Sequence, residues 1–161
     1  MHNTTALITG ATSGIGMATA RYFAKNGINL VICGRRQEKL DALTVELEKL
    51  VEVHALNFDV RERDKVQDAI NSLTGKFSHI DILINNAGNA HGLDTFQEAS
   101  LDDFDAMLDI NVKGLLYVTK ALLPQMMERK SGHIINIGST AGKEVYPKGN
   151  VYCASKHAVD A

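Results

Sequence analysis

Short apolar segments alternate along the chain with longer segments in which apolar residues recur every three or four positions. The short segments are rich in Ile, Val and Leu and are bounded by glycine or polar residues, a pattern that predicts β-strands. Because their apolar runs show little alternation with polar residues, we expect these strands to be buried on both faces, as in a parallel sheet. The predicted strands cover residues 5–9, 28–33, 51–58, 80–85 and 133–138.

The longer segments predict helices at 14–26, 37–50, 63–73 and about 100–129. In the second of these, a stripe of leucines lies on one side: Leu40, Leu43, Leu47 and Leu50. Ser100 with Asp103 resembles a helix N-terminal cap, and Pro124 is expected to kink the long helix or end a turn near its far end. Alternating strands and helices predict right-handed βαβ units, and therefore an α/β fold with a doubly wound parallel sheet in a single domain, 1–161.

Composition narrows the possible functions. The chain has 161 residues, 45% of them apolar and 22% charged, and its net charge is -2 with both signs spread along the sequence. No basic stripe suggests nucleic acid, no polybasic patch suggests a membrane surface, and no apolar run approaches the ~20 residues of a spanning helix. We expect a cytoplasmic protein without a metal site, in which Cys33 and Cys153 are buried thiols because neither has metal-ligand spacing.

The segment TGATSGIG follows the first predicted strand and leads into the first helix. Its glycines allow a sharp turn and let backbone N–H groups and the helix N-terminus approach a pyrophosphate, while the hydroxyl groups add donors. A purely structural strand-to-helix turn is the alternative. The candidate cofactor-binding residues of this loop are Gly10, Thr12, Ser13, Gly14, Ile15 and Gly16.

The end of the second predicted strand indicates which dinucleotide would bind. NAD-dependent proteins usually have an acidic residue there for the ribose 2′-hydroxyl, whereas a basic residue suits a 2′-phosphate. Here the strand leads into Gly34, Arg35 and Arg36. Two guanidinium groups would make charge-assisted hydrogen bonds to the phosphate, so NADP(H) is predicted over NAD(H). The alternative is a solvated basic start to a helix.

Further motifs accompany the remaining predicted strands, each weak alone, since a Tyr and a Lys four apart on a helix usually form a solvated face. Together they stand in this order: Asp59 and Val60, NNAG at 85–88, Asn111 in the long helix, Ser139 after the fifth strand, and Tyr152 with Lys156. With TGATSGIG, this order resembles the short-chain dehydrogenase/reductase superfamily over the whole chain from residue 4 onwards. The resemblance implies a Rossmann-type fold.

The resemblance also implies roles for residues of the cofactor cleft. Asp59 and Val60 would frame the adenine, and the NNAG segment, with Asn86, Ala87 and Gly88, would steady the sheet and line the cleft. The spacing of the glycine loop is GxxxGxG, whereas the epimerases and dehydratases that share the Tyr/Lys pair favour GxxGxxG. A methyltransferase would have an acid at the second strand tip and no need of Ser139 or Tyr152.

Four residues match the catalytic tetrad of this family: Asn111, Ser139, Tyr152 and Lys156. Interconverting a carbonyl and an alcohol needs a group that gives or takes a proton, and a lysine one helical turn away stabilises the phenolate of a tyrosine. Tyr152 is therefore the predicted acid/base, and Ser139 would donate a hydrogen bond to the substrate oxygen. By family analogy, Lys156 also holds the nicotinamide ribose with Tyr152, and Asn111 anchors a water that serves as a proton relay.

The segments VICGRRQEKL and 123–156 are similar to the NADP-dependent 3-hydroxy acid dehydrogenase branch, whose members oxidise serine-like and other small 3-hydroxy acids. That resemblance implies an NADP(H)-dependent oxidoreductase acting on such an acid. Reduction of a different carbonyl substrate is one alternative. The other is a non-catalytic dinucleotide-binding or assembly protein, although such a protein would be expected to lose members of the tetrad.

Family members commonly assemble as dimers or tetramers through the long helix and the helix that carries the catalytic tyrosine, here Tyr152. Residues 115–127 carry more apolar side chains than one face of a helix needs to pack on its own sheet, so we expect a homodimer or homotetramer. The alternative is that all of these side chains belong to the core. They are Leu116, Val118, Leu122, Leu123, Met126 and Met127. The family sheet has two more strands than the five predicted here. We therefore expect 1–161 to be the cofactor-binding part of a chain of about 230 to 260 residues, and to be inactive alone.

Overall fold

The computed structural model describes residues 4–161, in which five parallel strands form one sheet. The strands are β1 (Thr5–Thr9), β2 (Asn29–Gly34), β3 (Val53–Asn57), β4 (Ile82–Asn85) and β5 (His133–Asn136). Their order is β3-β2-β1-β4-β5, so the direction of winding reverses between β1 and β4. Ligands of open α/β sheets bind at the carboxyl ends of the strands beside such a reversal. The predicted doubly wound Rossmann-type sheet is confirmed.

Helices cover both faces of the sheet. They are α1 (Gly14–Lys25), α2 (Gln37–Leu47), α3 (Arg63–Asn71), α4 (Leu101–Leu108), α5 (Leu115–Arg129) and α6 (Asn150–Asp160). Two short 3-10 turns lie at Gly75–Ser78 and Thr140–Gly142.

The side chains of β1 alternate between two apolar clusters, one on each face of the sheet. Leu7 packs in the cluster that includes residues of α3 and α5, such as Val66 and Val118. Ile8 packs in the cluster that includes residues of α1 and α2, such as Leu40. Because both faces are covered, the middle residues of the central strands β1 and β2 are apolar, as their sequence pattern predicts.

Two predicted helices are too long. The structure ends α2 at Leu47, and the backbone N–H groups of Leu50 and Val51 turn back to the Leu47 carbonyl. This turn leads the chain into β3 and leaves Leu50 57% exposed, so its predicted place on the buried stripe is wrong. Helix α3 ends at Asn71, although Leu73 beyond it is buried.

The predicted long helix is continuous but irregular. It consists of α4, a π-helical turn at Asp109–Gly114 and α5. Ser100 caps its start as predicted, accepting a hydrogen bond from the Asp102 amide at 3.2 Å. The helix does not end at Pro124 but continues to Arg129.

Its apolar residues divide between the core and the surface. Val118, Leu122 and Met126 are buried, whereas Leu116, Leu123 and Met127 are 55%, 38% and 68% exposed. The core therefore accounts for one half of the set that the sequence singled out, and the exposed half forms an apolar face on α5.

Candidate active site

A cavity of about 580 Å³ opens where the segments after β1, β2, β3, β4 and β5 meet, with α6 at its side. Most of the residues that the sequence singles out line it. They are Gly10, Thr12, Ser13, Gly14, Ile15, Arg35, Arg36, Asp59, Val60, Asn86, Ala87, Gly88, Tyr152 and Lys156. Gly16, Asn111 and Ser139 are not among the lining residues.

The glycine loop is tied to the segment after β4. The side-chain amide of Asn86 donates to the carbonyls of Thr9 and Gly10 at 2.9 and 3.1 Å. Gly16 lies behind the loop, outside the cavity wall. A Cβ there would lie 2.4 Å from that amide nitrogen, so a larger residue would disturb the contact. Gly10 has a φ of 63°, which favours glycine, and a Cβ there would meet the Ala87 backbone at 3.0 Å.

Arg36 is held across the same loop. Its guanidinium donates to the hydroxyls of Thr12 and Ser13 at 3.2 and 3.4 Å. Arg35 is 58% exposed at its side chain and lies 3.5 Å from the Asp59 carboxylate. Both guanidinium groups therefore border one end of the cavity, and no acidic residue stands at the tip of β2.

Asp59 is the acidic residue of this end of the cavity, and its side chain is only 10% exposed. Desolvation opposes its ionisation, but hydrogen bonds from Arg61 and the charges of Arg61 and Arg35 outweigh that effect and hold the pKa of Asp59 below its ordinary value. The carboxylate is thus charged near neutral pH.

Tyr152 and Lys156 lie one turn apart on α6 and both line the other end of the cavity. The Lys156 ammonium donates to the Ile137 carbonyl at 2.9 Å, and the residue is 8% exposed. Desolvation lowers the pKa of Lys156 below its ordinary value, because burial disfavours the charged form. A Cβ on Gly88 would lie 3.2 Å from the Asn111 amide oxygen and 3.6 Å from this ammonium, so Gly88 packs closely against both groups.

Asn111 lies in the π-helical turn, and its side chain is buried behind the cavity. Its amide donates to the Asn89 carbonyl and to the Ser155 hydroxyl at 2.8 and 3.0 Å, and its oxygen accepts from the Asn89 amide at 2.8 Å. The Ser155 hydroxyl in turn donates to the Tyr152 carbonyl at 2.8 Å. Asn111 thereby joins the long helix to the segment after β4 and to α6.

Ser139 follows β5 at the start of the short turn Thr140–Gly142. Its hydroxyl oxygen accepts from the Ala141 amide at 3.2 Å. This turn packs against α6, since a Cβ on Gly142 would lie 2.6 Å from the Lys156 carbonyl oxygen. Accepting that bond leaves the hydroxyl proton of Ser139 free to donate elsewhere.

Sequence reasoning missed three residues that hold this site: Arg61, Asn89 and Ser155. Ser155 could have been noticed, because it is a hydroxyl residue three positions after Tyr152 and therefore on the same side of the helix. The contact of Asn89 with Asn111 spans 22 residues and has no local signal. Arg61 could have been found only by asking what neutralises Asp59 two residues earlier.

Cys33 and Cys153 are both free and buried, as expected. Burial raises the pKa of the Cys33 thiol, which keeps it protonated. Among residues 4–161, no group of three or more His, Cys, Asp or Glu side chains could hold a metal ion. Across the same range, none of the helices combines the length and the apolar character needed to span a membrane.

Comparison with known families matches residues 4–161 to the short chain dehydrogenases. The chain belongs to this family. A similar relative is the NADP-dependent 3-hydroxy acid dehydrogenase YdfG of Salmonella typhi, which is 49% identical over 150 residues, covering 93% of this chain and 60% of the relative. Sulfoacetaldehyde reductase 2 of Chromohalobacter salexigens is 46% identical over 151 residues, again 93% and 60% of the two chains.

Among solved structures, the closed form of serine dehydrogenase complexed with NADP⁺ has a TM-score of 0.91 and 46% identity to this chain. The match covers 96% of this chain and 62% of that one. The present chain spans about 60% of the length of the curated relatives it matches.

Proposed function

We propose that the protein is an NADP(H)-dependent oxidoreductase that interconverts a hydroxyl and a carbonyl group on a small 3-hydroxy acid such as serine. The observation that carries the proposal is the shared cavity: Tyr152 and Lys156 line one end of it, and the glycine loop with Arg35 and Arg36 lines the other. An acid/base pair and a dinucleotide-sized groove in one cavity suit hydride transfer to or from a carbon next to the tyrosine hydroxyl.

The residues present fit a dinucleotide. The loop from Gly10 to Gly16 passes so close to Asn86 and Ala87 that a Cβ at either end of it would clash. The N–H groups at the N-terminus of α1, which follows the loop, would bind the pyrophosphate. Arg35 and Arg36 would bind a ribose 2′-phosphate, in keeping with the NADP⁺ named for the serine dehydrogenase structure. The bound cofactor would supply or accept the hydride.

In the proposed reduction, the Tyr152 hydroxyl gives its proton to the oxygen of the former carbonyl, and in oxidation the phenolate takes it back. The Lys156 ammonium would stabilise that phenolate and would hold the nicotinamide ribose of the bound cofactor. The Ser139 hydroxyl would donate a hydrogen bond to the substrate oxygen, where negative charge develops, and would keep its own proton. Asn111 fixes the segments on either side of Lys156 and would hold the water of a proton relay.

The substrate class rests on the relatives. A 3-hydroxy acid is named for YdfG, and sulfoacetaldehyde for the Chromohalobacter reductase. In both compounds a single carbon atom separates the anionic group from the carbon that reacts. A sulfonated or other small aldehyde is therefore the second candidate substrate. A solely dinucleotide-binding role is disfavoured, because all four tetrad residues are present.

We further propose that the protein assembles as a homodimer or homotetramer, with the exposed apolar face of α5 in the contact. Two free buried cysteines suit a reducing compartment, which supports a cytoplasmic location.

The test is an assay of reduced-nicotinamide absorbance on the complete chain that we expect to contain residues 1–161. It uses L-serine, 3-hydroxybutyrate, isethionate and their carbonyl partners, each with both dinucleotides. We expect turnover with NADP(H) and at least one anionic substrate, and a much weaker reaction with NAD(H). Equal rates with the two cofactors would contradict the NADP(H) assignment, and no turnover in either direction across the set would contradict the substrate class.

A further inference from the structure

The Asp59 carboxylate creates an electrostatic problem at the end of the cavity assigned to the 2′-phosphate. It lines the same cavity as Arg35 and Arg36, and its side chain is 10% exposed. A carboxylate in this place repels a phosphate. It also attracts Arg35, which lies 3.5 Å away and, within residues 4–161, has no other charged contact.

Arg61, which does not line the cavity, already donates hydrogen bonds to the Asp59 carboxylate. Its backbone amide donates to Oδ1 of Asp59 at 3.0 Å, and its guanidinium donates to Oδ2 through Nε at 3.0 Å and Nη2 at 2.7 Å. All three distances are shorter than the 3.5 Å from Arg35, which makes no hydrogen bond to Asp59 among the described contacts. Charge-assisted bonds of this length are the stronger interaction.

We propose that Arg61 is a positioning residue for cofactor selection: it satisfies Asp59 so that the Arg35 guanidinium stays available to an anionic group in the cavity. The proposal rests on the function proposed above, because it takes that anionic group to be the 2′-phosphate of NADP(H). Arg61 does not line the cavity and acts only through Asp59 and Arg35.

Removing the Arg61 side chain has two consequences that act in the same direction. Asp59 loses its closest partner and recruits Arg35, which withdraws a cation from the phosphate. The carboxylate also regains its repulsion of the phosphate. A ligand without the 2′-phosphate does not use the Arg35 contact, and any change of Asp59 beside the adenine affects it and the 2′-phosphorylated ligand alike.

The decisive experiment is calorimetric titration with two fragments of the cofactor, 2′,5′-ADP and 5′-ADP, which report on this end of the cavity without any turnover. For Arg61→Gln we expect affinity for 2′,5′-ADP to fall by about 10-fold or more, the equivalent of one charge-assisted hydrogen bond, with a clearly smaller change in 5′-ADP affinity. Arg63→Gln is the matched control. It removes the same charge two residues away, where Arg63 pairs with Asp64 on the exposed surface.

A second background separates positioning from folding. When Asp59→Asn removes the carboxylate, Arg61 no longer has a negative charge at residue 59 to neutralise. Adding Arg61→Gln should therefore change 2′,5′-ADP affinity by less than about 2-fold. Arg61→Lys keeps a cation and should retain most of the affinity. An equal loss for both ligands, or the same loss in the Asp59→Asn background, would overturn the positioning role.

The outcomes also distinguish the two proposals. If the unmodified protein binds 2′,5′-ADP and 5′-ADP equally, the NADP(H) assignment fails and the inference fails with it. If the unmodified protein prefers 2′,5′-ADP and Arg61→Gln keeps that preference, only the inference is wrong.

Discussion

The buried ammonium of Lys156 is the most consequential single group of the site. It is 8% exposed, its described hydrogen bond goes to a backbone carbonyl, and no carboxylate pairs with it among the described residues. A desolvated cation of this kind costs folding free energy, and proteins retain such groups where the charge serves chemistry. We interpret the burial of Lys156 as a cost of keeping a cation one turn from Tyr152.

This cost has a defined pH dependence. Desolvation lowers the pKa of Lys156 below 10.5, so the unfolded chain binds more protons at this residue in the range between the lowered pKa and 10.5. Stability contributed by this residue therefore rises with pH through that range. Chemical denaturation at several pH values should show wild-type protein gaining stability relative to Lys156→Met as the pH rises towards 10.5.

Lys120→Met serves as the control for that comparison, because it removes an exposed lysine without releasing a buried ammonium. If the difference in the free energy of unfolding between wild type and Lys156→Met stays constant over the whole pH range, burial does not perturb the pKa of the lysine.

At the scale of elements, the Asn111–Ser155 hydrogen bond is the link between the long helix and α6. The π-helical turn places Asn111 inward, and α6 presents Ser155 between Tyr152 and Lys156. π-helical turns are rare and are frequently found at functional sites, so we interpret this irregularity as part of the proposed active site.

We expect Ser155→Ala to leave a buried Asn111 N–H without its acceptor, at a cost of about 1–3 kcal/mol in the free energy of unfolding. The measurement is urea denaturation. Ser72→Ala is the matched control, because its hydroxyl bonds a carbonyl three residues back on an exposed helix end. If the two replacements cost the same, the buried link does not stabilise the site.

The sequence predicted the elements well and their ends and cross-connections less well. Dense Ile, Val and Leu runs predict the strands correctly. Burial holds for β1, β2 and β4, whereas the edge strands β3 and β5 are largely half-buried or exposed because each lacks a neighbouring strand on one side among the described residues. Leu50 fits the helical period of α2, but the turn that leads the chain into β3 takes it to the surface. The π-helical turn hardly changes the apolar period, so no sequence pattern predicts it. Contacts such as that of Arg61 with Asp59 depend on side-chain placement that spacing does not specify.

At the scale of the whole molecule, the exposed apolar face of α5 predicts self-association. Leu123→Glu with Met127→Glu should shift light-scattering mass towards the monomer, because each charge would be buried in the contact. Glu128→Lys, which alters the charge of α5 outside that face, should leave the mass unchanged. A monomeric unmodified protein at micromolar concentration would contradict the oligomer.

The most direct test of the proposed chemistry compares the turnover of Tyr152→Phe, made in the complete chain expected to contain residues 1–161, with its affinity for NADPH. Phenylalanine keeps the ring and removes the hydroxyl that gives and takes the proton. We predict that turnover falls by about 10²- to 10⁴-fold, the usual contribution of a positioned acid/base, while fluorescence titration shows NADPH binding close to that of the unmodified protein. Near-normal turnover of Tyr152→Phe would contradict the account.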